Sequence, residues 1–366
     1  MLFALRNSLI LLNFIAGAAG AVSHPIGIES KRYGESIAYD MNGKAQVAAV
    51  IKEKSGITHA VFVENGQIHQ LETADEVESE ARGINQRGQV IGSARKERIW
   101  RAFVYDKEHG KQEISTLGGR HSHGTGINDQ GMATGFADDE NGDWHAFLYQ
   151  PGKALQDLGT LGGRVSYASG INNQGQVVGT SMTANGSRHA FFYDAQKGML
   201  DLGTLGGRYS TATTLNDHGV VVGASEMPGR RWHAFIHDGK KMIDLGAKIG
   251  MGDSFATGIN NQGHVVGVVD LPDIRLAFVW RDNKMILHPA GKSLYLTNAI
   301  NNYGQVIGAS YDRGLYAATM PSNAKPFVDH GGDKIFGFNL VALIIAALMA
   351  IYRKRIKGLF FSNQGA

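Results

Sequence analysis

Short runs of β-forming residues separated by glycine- and asparagine-bearing turns recur along most of this chain. Residues 166–171 and 176–180 are two such runs, joined by Asn172-Asn173-Gln174-Gly175, a turn whose Asn and Gly tolerate the positive φ that tight hairpins require. Residues 189–193 supply a third run. A turn at Gln196-Lys197-Gly198 leads to a fourth at 199–202. The 3.6-residue period of an amphipathic helix is absent from this body, so the pattern predicts antiparallel hairpins.

The pattern also repeats at long range. The phrase Gly-Ile-Asn-x-x-Gly-x-Val-x-Gly occurs, with substitutions, at 83–92, 126–135, 170–179, 214–223, 258–267 and 299–308, and a degraded copy begins near Tyr39. Taken at the Asn position, the series Asp40, Asn85, Asn128, Asn172, Asn216, Asn260 and Asn301 has intervals of 45, 43, 44, 44, 44 and 41. Four strands in roughly 44 residues is the size of a propeller blade, and blades arranged in a ring leave no long sheet edge open. The expected fold is therefore all-β, a seven-bladed β-propeller of four-stranded blades. Its last copy stops after three strands, so an N-terminal strand at 26–29 is expected to complete the seventh blade.

A second phrase follows the first in each unit, as His145-Ala146-Phe147, His189-Ala190-Phe191 and His233-Ala234-Phe235. A third, Asp-Leu-Gly-Thr-Leu-Gly-Gly-Arg, stands at 157–164 and 201–208. Recurring in fixed order over residues 26–320, these phrases resemble the HAF family of extracellular repeats, named from the His-Ala-Phe triplet. The resemblance implies export and a propeller-like fold, and it brings no catalytic or binding residues with it. Groups that recur from unit to unit read as architecture, because a catalytic group is needed once: His59, His145, His189 and His233, at four equivalent positions, as packed rings, and the asparagines as turn residues.

Both ends differ from the body. Residues 1–21 read as a signal peptide, with Arg6, an apolar stretch and small residues ending Ala19-Gly20-Ala21. Residues 22–325 form the propeller and 326–334 a linker. The apolar run 335–352 is long enough for a transmembrane helix, and Arg353-Lys354-Arg355-Ile356-Lys357 opens a tail, 353–366, that the positive-inside rule places in the cytoplasm. The expected location is thus the cell membrane, spanned once, with the body on the periplasmic or extracellular side. Gly331-Gly332 raises the alternative of release after C-terminal processing.

The formal charge of +3 changes meaning once the ends are removed. Arg6, Arg353, Lys354, Arg355 and Lys357 lie in segments without acids, which leaves a body near −2. No nucleic-acid partner is expected from so mild a charge. With no cysteine there is no disulfide framework, thiolate metal site or thiol nucleophile.

What departs from the repeat carries the candidate chemistry. Trp100, Trp144 and Trp232 precede the triplet alanines by two residues and offer rings to a ligand. Arg120, Arg164 and Arg208 close the Gly-Gly-Arg phrase in three successive units and, with Arg230 and Arg231, make one loop face basic. An acidic polymer or an acidic protein loop is the matching partner. Asp138, Glu140 and Asp143 around Gly142 are oxygen ligands of the kind calcium takes. The expected function is an exported, membrane-anchored binding or scaffold module of the bacterial envelope. The alternative is a propeller hydrolase or lyase acting on glycans, which needs a unique acid or His cluster near the channel.

Overall fold

The computed structural model describes residues 24–25, 35–248, 252–289, 296–311 and 315–321. The chain divides into two units, Met1–Pro326 and Phe327–Ala366, and every described residue lies in the first. Strand β1 is His24–Pro25. Blade 1 holds β2 (Glu35–Met41), β3 (Val47–Lys52), β4 (Thr58–Glu64) and β5 (Gln67–Gln70), and blade 2 holds β6 (Glu78–Ile84), β7 (Val90–Lys96), β8 (Ile99–Asp106) and β9 (Gly110–Glu113). Blade 3 is β10 (Gly118–Ile127), β11 (Ala133–Asp139), β12 (Trp144–Tyr149) and β13 (Gln156–Asp157); blade 4 is β14 (Gly162–Ile171), β15 (Val177–Thr183), β16 (Arg188–Asp194) and β17 (Gly198–Asp201). Blade 5 comprises β18 (Ser210–Leu215), β19 (Val221–Glu226), β20 (Trp232–His237) and β21 (Met242–Asp244), and blade 6 β22 (Asp253–Ile259), β23 (Val265–Leu271), β24 (Ile274–Arg281) and β25 (Lys284–Pro289). Blade 7 takes β26 (Leu296–Ile300), β27 (Gln305–Tyr311) and β28 (Leu315–Pro321), and β1 adds itself as the fourth strand.

All seven sheets have four antiparallel strands, and β1 meets β28 with His24 opposite Thr319 and Pro25 opposite Ala318. Closure by an N-terminal strand is therefore present. The strand expected at 26–29 lies outside the described residues, and the clasp sits just before it. The segments expected to be a signal peptide, 1–21, and a transmembrane helix, 335–352, also lie outside them, and among the described residues no helix is long and apolar enough to cross a membrane.

The first strand of each blade is innermost, and its turn into the second strand carries the Asn. In all seven turns the Asn amide Nδ2 donates to the main-chain carbonyl of the next blade's Asn: Asn42 to Asn85, and on through Asn128, Asn172, Asn216, Asn260 and Asn301 back to Asn42, at 2.9–3.4 Å. Each Oδ1 meanwhile accepts from its own turn, as Asn172 does from Gln174 and Gln176 at 3.1 and 3.0 Å. These asparagines are buried, so every polar atom has a partner, as burial demands. The ring corrects the sequence alignment: blade 1 contributes Asn42, not Asp40. Asp40 instead occupies the bulge position held by Gly83, Gly126 and Gly170 in the following blades. The turn glycine of the other copies is replaced by Ala45, at φ 58°, which obscured the match.

Seven apolar clusters fill the seams, one between each pair of neighbouring blades; for example Ile91, Ala102 and Ile114 of blade 2 pack with Ile127, Ala133 and Phe147 of blade 3. The triplet explains itself here. Its Ala is fully buried, donates N–H to a Ser Oγ on the next blade's inner strand and accepts at its carbonyl from the Leu of Asp-Leu-Gly, as in Ala146 with Ser166 (2.8 Å) and Leu158 (2.9 Å). The same N–H to Ser contact recurs at six seams. Its Phe lies across from the last Gly of the first phrase: a Cβ on Gly135 would stand 1.8 Å from the His123 carbonyl and 2.9 Å from the Phe147 ring. In blade 1 the pair changes together, to Ala49 and Val61.

Candidate functional site

The triplet histidines are architectural. Nδ1 of His145, His189 and His233 lies 2.8–2.9 Å from Asp157, Asp201 and Asp244 on the adjacent strand, and His59 makes the same contact with Glu72 at 2.7 Å. The histidines thus tie the third and fourth strands of one blade, while the asparagines in the ring and the serines in the seams tie neighbouring blades.

One region breaks the repeat. On the inner strand of blade 3, His121 and His123 stand where blade 4 has Val165 and Tyr167 and blade 5 has Tyr209 and Thr211. Both lie near the start of β10, at the end of the propeller opposite the Asn ring, and β8 and β12 begin there with Trp100 and Trp144 close by. His123 is stacked on Phe136 (centroids 5.1 Å) and flanked by Trp100 at 5.2 Å and Trp144 at 5.7 Å. Phe136 in turn meets Trp144 (5.3 Å) and Tyr167 (5.1 Å) edge-on. The result is a row of half-buried rings from blade 2 through blade 3 to blade 4.

The polar groups beside the row differ in how far they are committed. The Trp100 N–H donates to His121 Nδ1 at 3.2 Å, which places the His121 proton on Nε2. The His121 N–H donates to the buried carboxylate of Asp138 at 2.5 Å. Glu80 is bound by Arg82 through Nε at 2.9 Å, and the Arg82 guanidinium also lies 4.2 Å from the Tyr39 ring. His123 has no hydrogen bond to its ring nitrogens among the described residues. Burial holds its pKa below the ordinary 6.5, Glu80 and Asp138 pull it upward, and His121 and Arg82 push it down. It is thus a neutral imidazole at neutral pH, with one donor and one acceptor to offer.

The residues singled out from sequence fall in several places. Trp100 and Trp144 join the row. Trp232 lies at the seam of blades 5 and 6, stacked on Phe255 at 6.2 Å. Arg120, Arg164 and Arg208 occupy equivalent exposed positions in blades 3, 4 and 5 but have different surroundings. Arg164 pairs with Asp143 of blade 3 at 2.7 Å, and Arg208 reaches Ser187 at 3.4 Å. The Arg120 guanidinium makes no ion pair or hydrogen bond among the described residues, while its carbonyl is held, with that of Trp100, by Arg101. Arg230 and Arg231 are exposed in the blade 5 loop, where Arg230 has φ 67°.

The three acids proposed for calcium are drawn apart: Asp138 toward β10, Asp143 to Arg164, and Glu140 to the surface beside Gly118. Among the described residues no group of three or more His, Asp or Glu side chains is arranged to hold a metal ion. Sequence reasoning missed His121, His123, Phe136, Tyr167 and Glu80. The available signal was the pair of imidazoles replacing Val-x-Tyr between Gly-Gly-Arg and the next turn.

Residues 29–205 match the family described as Protein of unknown function (DUF3466), a span that runs to the close of blade 4 and includes the whole aromatic row. No curated protein matches the chain. Among solved structures it is similar to the β-propeller domain of the Trilobed protease from Pyrococcus furiosus, described as having an open velcro topology, at 10% identity and a TM-score of 0.57 over 82% of this chain and 100% of that one. A puromycin-hydrolyzing peptidase of Mycobacterium tuberculosis matches at 11% identity and a TM-score of 0.57, over 86% of this chain and 56% of that one. TolB from Acinetobacter baumannii matches at 13% identity and a TM-score of 0.44, over 82% and 66%. The chain therefore spans about half to two thirds of the last two proteins, and at these identities the likeness concerns the propeller fold alone.

Proposed function

We propose that the protein is a non-enzymatic binding or scaffold module of the bacterial envelope. It is exported by the segment at 1–21 and held at the membrane by the apolar run at 335–352, with its loop face turned to an anionic partner. The HAF-like phrases support export. One observation carries the binding reading: the repeated polar groups are spent on contacts within and between blades, whereas the groups that break the repeat gather at the loop end of blades 2–4, beside the uncommitted Arg120.

The hydrolase reading requires an acid and a base within reach of each other. Glu80 is bound by Arg82, Asp138 by a backbone N–H, and His121 by another, so His123 stands without a carboxylate hydrogen-bonded to it. A guanidinium fork facing solvent is suited to carboxylate or phosphate. Its reach is local, since the Debye length is about 8 Å at physiological salt.

The test is titration of the purified full-length protein with polygalacturonate, polyglutamate and polyphosphate at low and high salt. Binding to at least one that weakens with salt, and is lost in the Arg120→Gln/Arg164→Gln/Arg208→Gln variant at unchanged melting temperature, is the expected result. Absence of binding to all three sinks the proposal.

A further inference from the structure

The row of rings says more about the ligand than the charge does. Trp100, His123, Phe136, Trp144 and Tyr167 form a chain of neighbours 5.1–5.7 Å apart that crosses two blade seams, and every member is half-buried. Packing alone does not call for this composition. At the matching position between blades 5 and 6, Trp232 lies on Phe255, where blade 3 has His123, and no further ring joins that pair among the described residues. The main-chain donors at the surface here are already used, Trp100 N–H by His121 and His121 N–H by Asp138. An extended peptide, which binds largely through main-chain hydrogen bonds, would find neither of these donors open. The His123 nitrogens and the Arg120 fork carry no hydrogen bond among the described residues, and the half-buried rings of Trp100, with Arg95 6.0 Å from its centre, and Trp144 keep part of their surface exposed.

Those groups match a particular chemistry. The negative π-face of an indole attracts the C–H-bearing face of a pyranose, whose hydrogens carry partial positive charge. A neutral imidazole donates to one hydroxyl and accepts from another. A guanidinium takes a carboxylate through two parallel hydrogen bonds. Resting on the reading of the loop face as a binding surface, we propose that the aromatic row is a subsite for a linear acidic polysaccharide, its sugar rings laid on Trp100 and Trp144 and a uronate-type carboxylate taken by Arg120.

The experiment compares polygalacturonate, neutral dextran and polyglutamate on the parent, Trp144→Ala, Trp144→Leu, Arg120→Gln and Trp232→Leu proteins, following affinity and tryptophan fluorescence, with melting temperature as the control. Polygalacturonate is expected to bind most tightly and to quench fluorescence. Loss of the Trp144 ring should cost roughly tenfold in affinity, the lower end of what an aromatic stack contributes. Trp144→Leu keeps the site filled and should show the same loss of affinity without losing the fold. Arg120→Gln should weaken binding and flatten its salt dependence, and Trp232→Leu should leave affinity unchanged. If polyglutamate binds as tightly as polygalacturonate and both Trp144 variants retain parental affinity, the row is packing and this inference fails, while the basic face survives as a charge-driven surface. If no anionic polymer binds, both readings fall together.

Discussion

Two seams of this propeller are built on one plan and filled with different chemistry. Between blades 5 and 6, Trp232 lies on Phe255 and its N–H is taken by the carboxylate of Asp253 at 2.9 Å. Between blades 2 and 3, Trp100 lies on His123 and its N–H is taken by His121 at 3.2 Å. The same two positions are therefore occupied by Phe and Asp in one seam and by two imidazoles in the other. The comparison separates architecture from function within a single chain. A Trp at the start of the third strand packs in both seams, and the proposed ligand subsite rests on the difference in what lies beneath it.

The comparison can be broken most sharply at Trp232. If its role is packing, Trp232→Ala should destabilise the protein by about 3 kcal/mol, the low end for losing a large aromatic because the ring is half-buried. Calorimetric unfolding measures this, and a loss below about 0.5 kcal/mol would show that the indole does not hold the seam. The two seams should respond alike where their frameworks are alike. Ser122 and Ser254 accept the N–H of Ala102 and Ala234, each at 2.9 Å, and replacing either Ser with Ala leaves a buried donor unsatisfied, for a loss of about 2 kcal/mol apiece. Clearly unequal losses in denaturant titrations would mean that the frameworks are not equivalent.

The smallest effect at neutral pH, and the most specific, belongs to His123→Phe, which copies the blade 6 residue into blade 3. Burial lowers the folded pKa of His123 below 6.5, so as pH falls the unfolded chain takes up a proton before the folded one does. This contribution is fully present above about 6.5 and is lost as pH drops toward the folded value. The variant should match the parent within a few tenths of a kcal/mol at pH 8 and show a shallower loss of stability between pH 6.5 and 5. Identical pH profiles would remove His123 from the titrating groups that matter.

The architecture was legible in the sequence because each phrase records a contact made in nearly every blade. Gly-x-Val-x-Gly ends where a Phe ring leaves no space, and His-Ala-Phe pairs its His with the Asp of the third phrase. Asp40 was misplaced because the first blade lacks the turn glycine, leaving Asn42 with Ala45 three residues on. The site was half legible. Trp100 and Trp144 were visible as aromatics two residues before the triplet alanines, at the edge of the variable loops, but His123 and Tyr167 lie inside inner strands, at a position whose residue changes from blade to blade. The Asp143–Arg164 pair crosses a blade seam, a proximity that spacing along the chain does not reveal.

The clasp has a consequence for how the molecule is made. Six blades are each assembled from strands adjacent in sequence, so their hairpins form from local contacts soon after synthesis. The seventh cannot: His24 meets Thr319, Ser36 bonds Ala317 across 281 residues, and Asn301 completes the ring on Asn42 across 259. These pairings carry the highest contact order in the fold, and they wait until nearly the whole body has been synthesised. Until then β28 lacks its β1 partner and is an open edge, competent to join a second copy of the chain. Ring closure is thus expected to come late, and the interval before it is when a domain-swapped chain would arise.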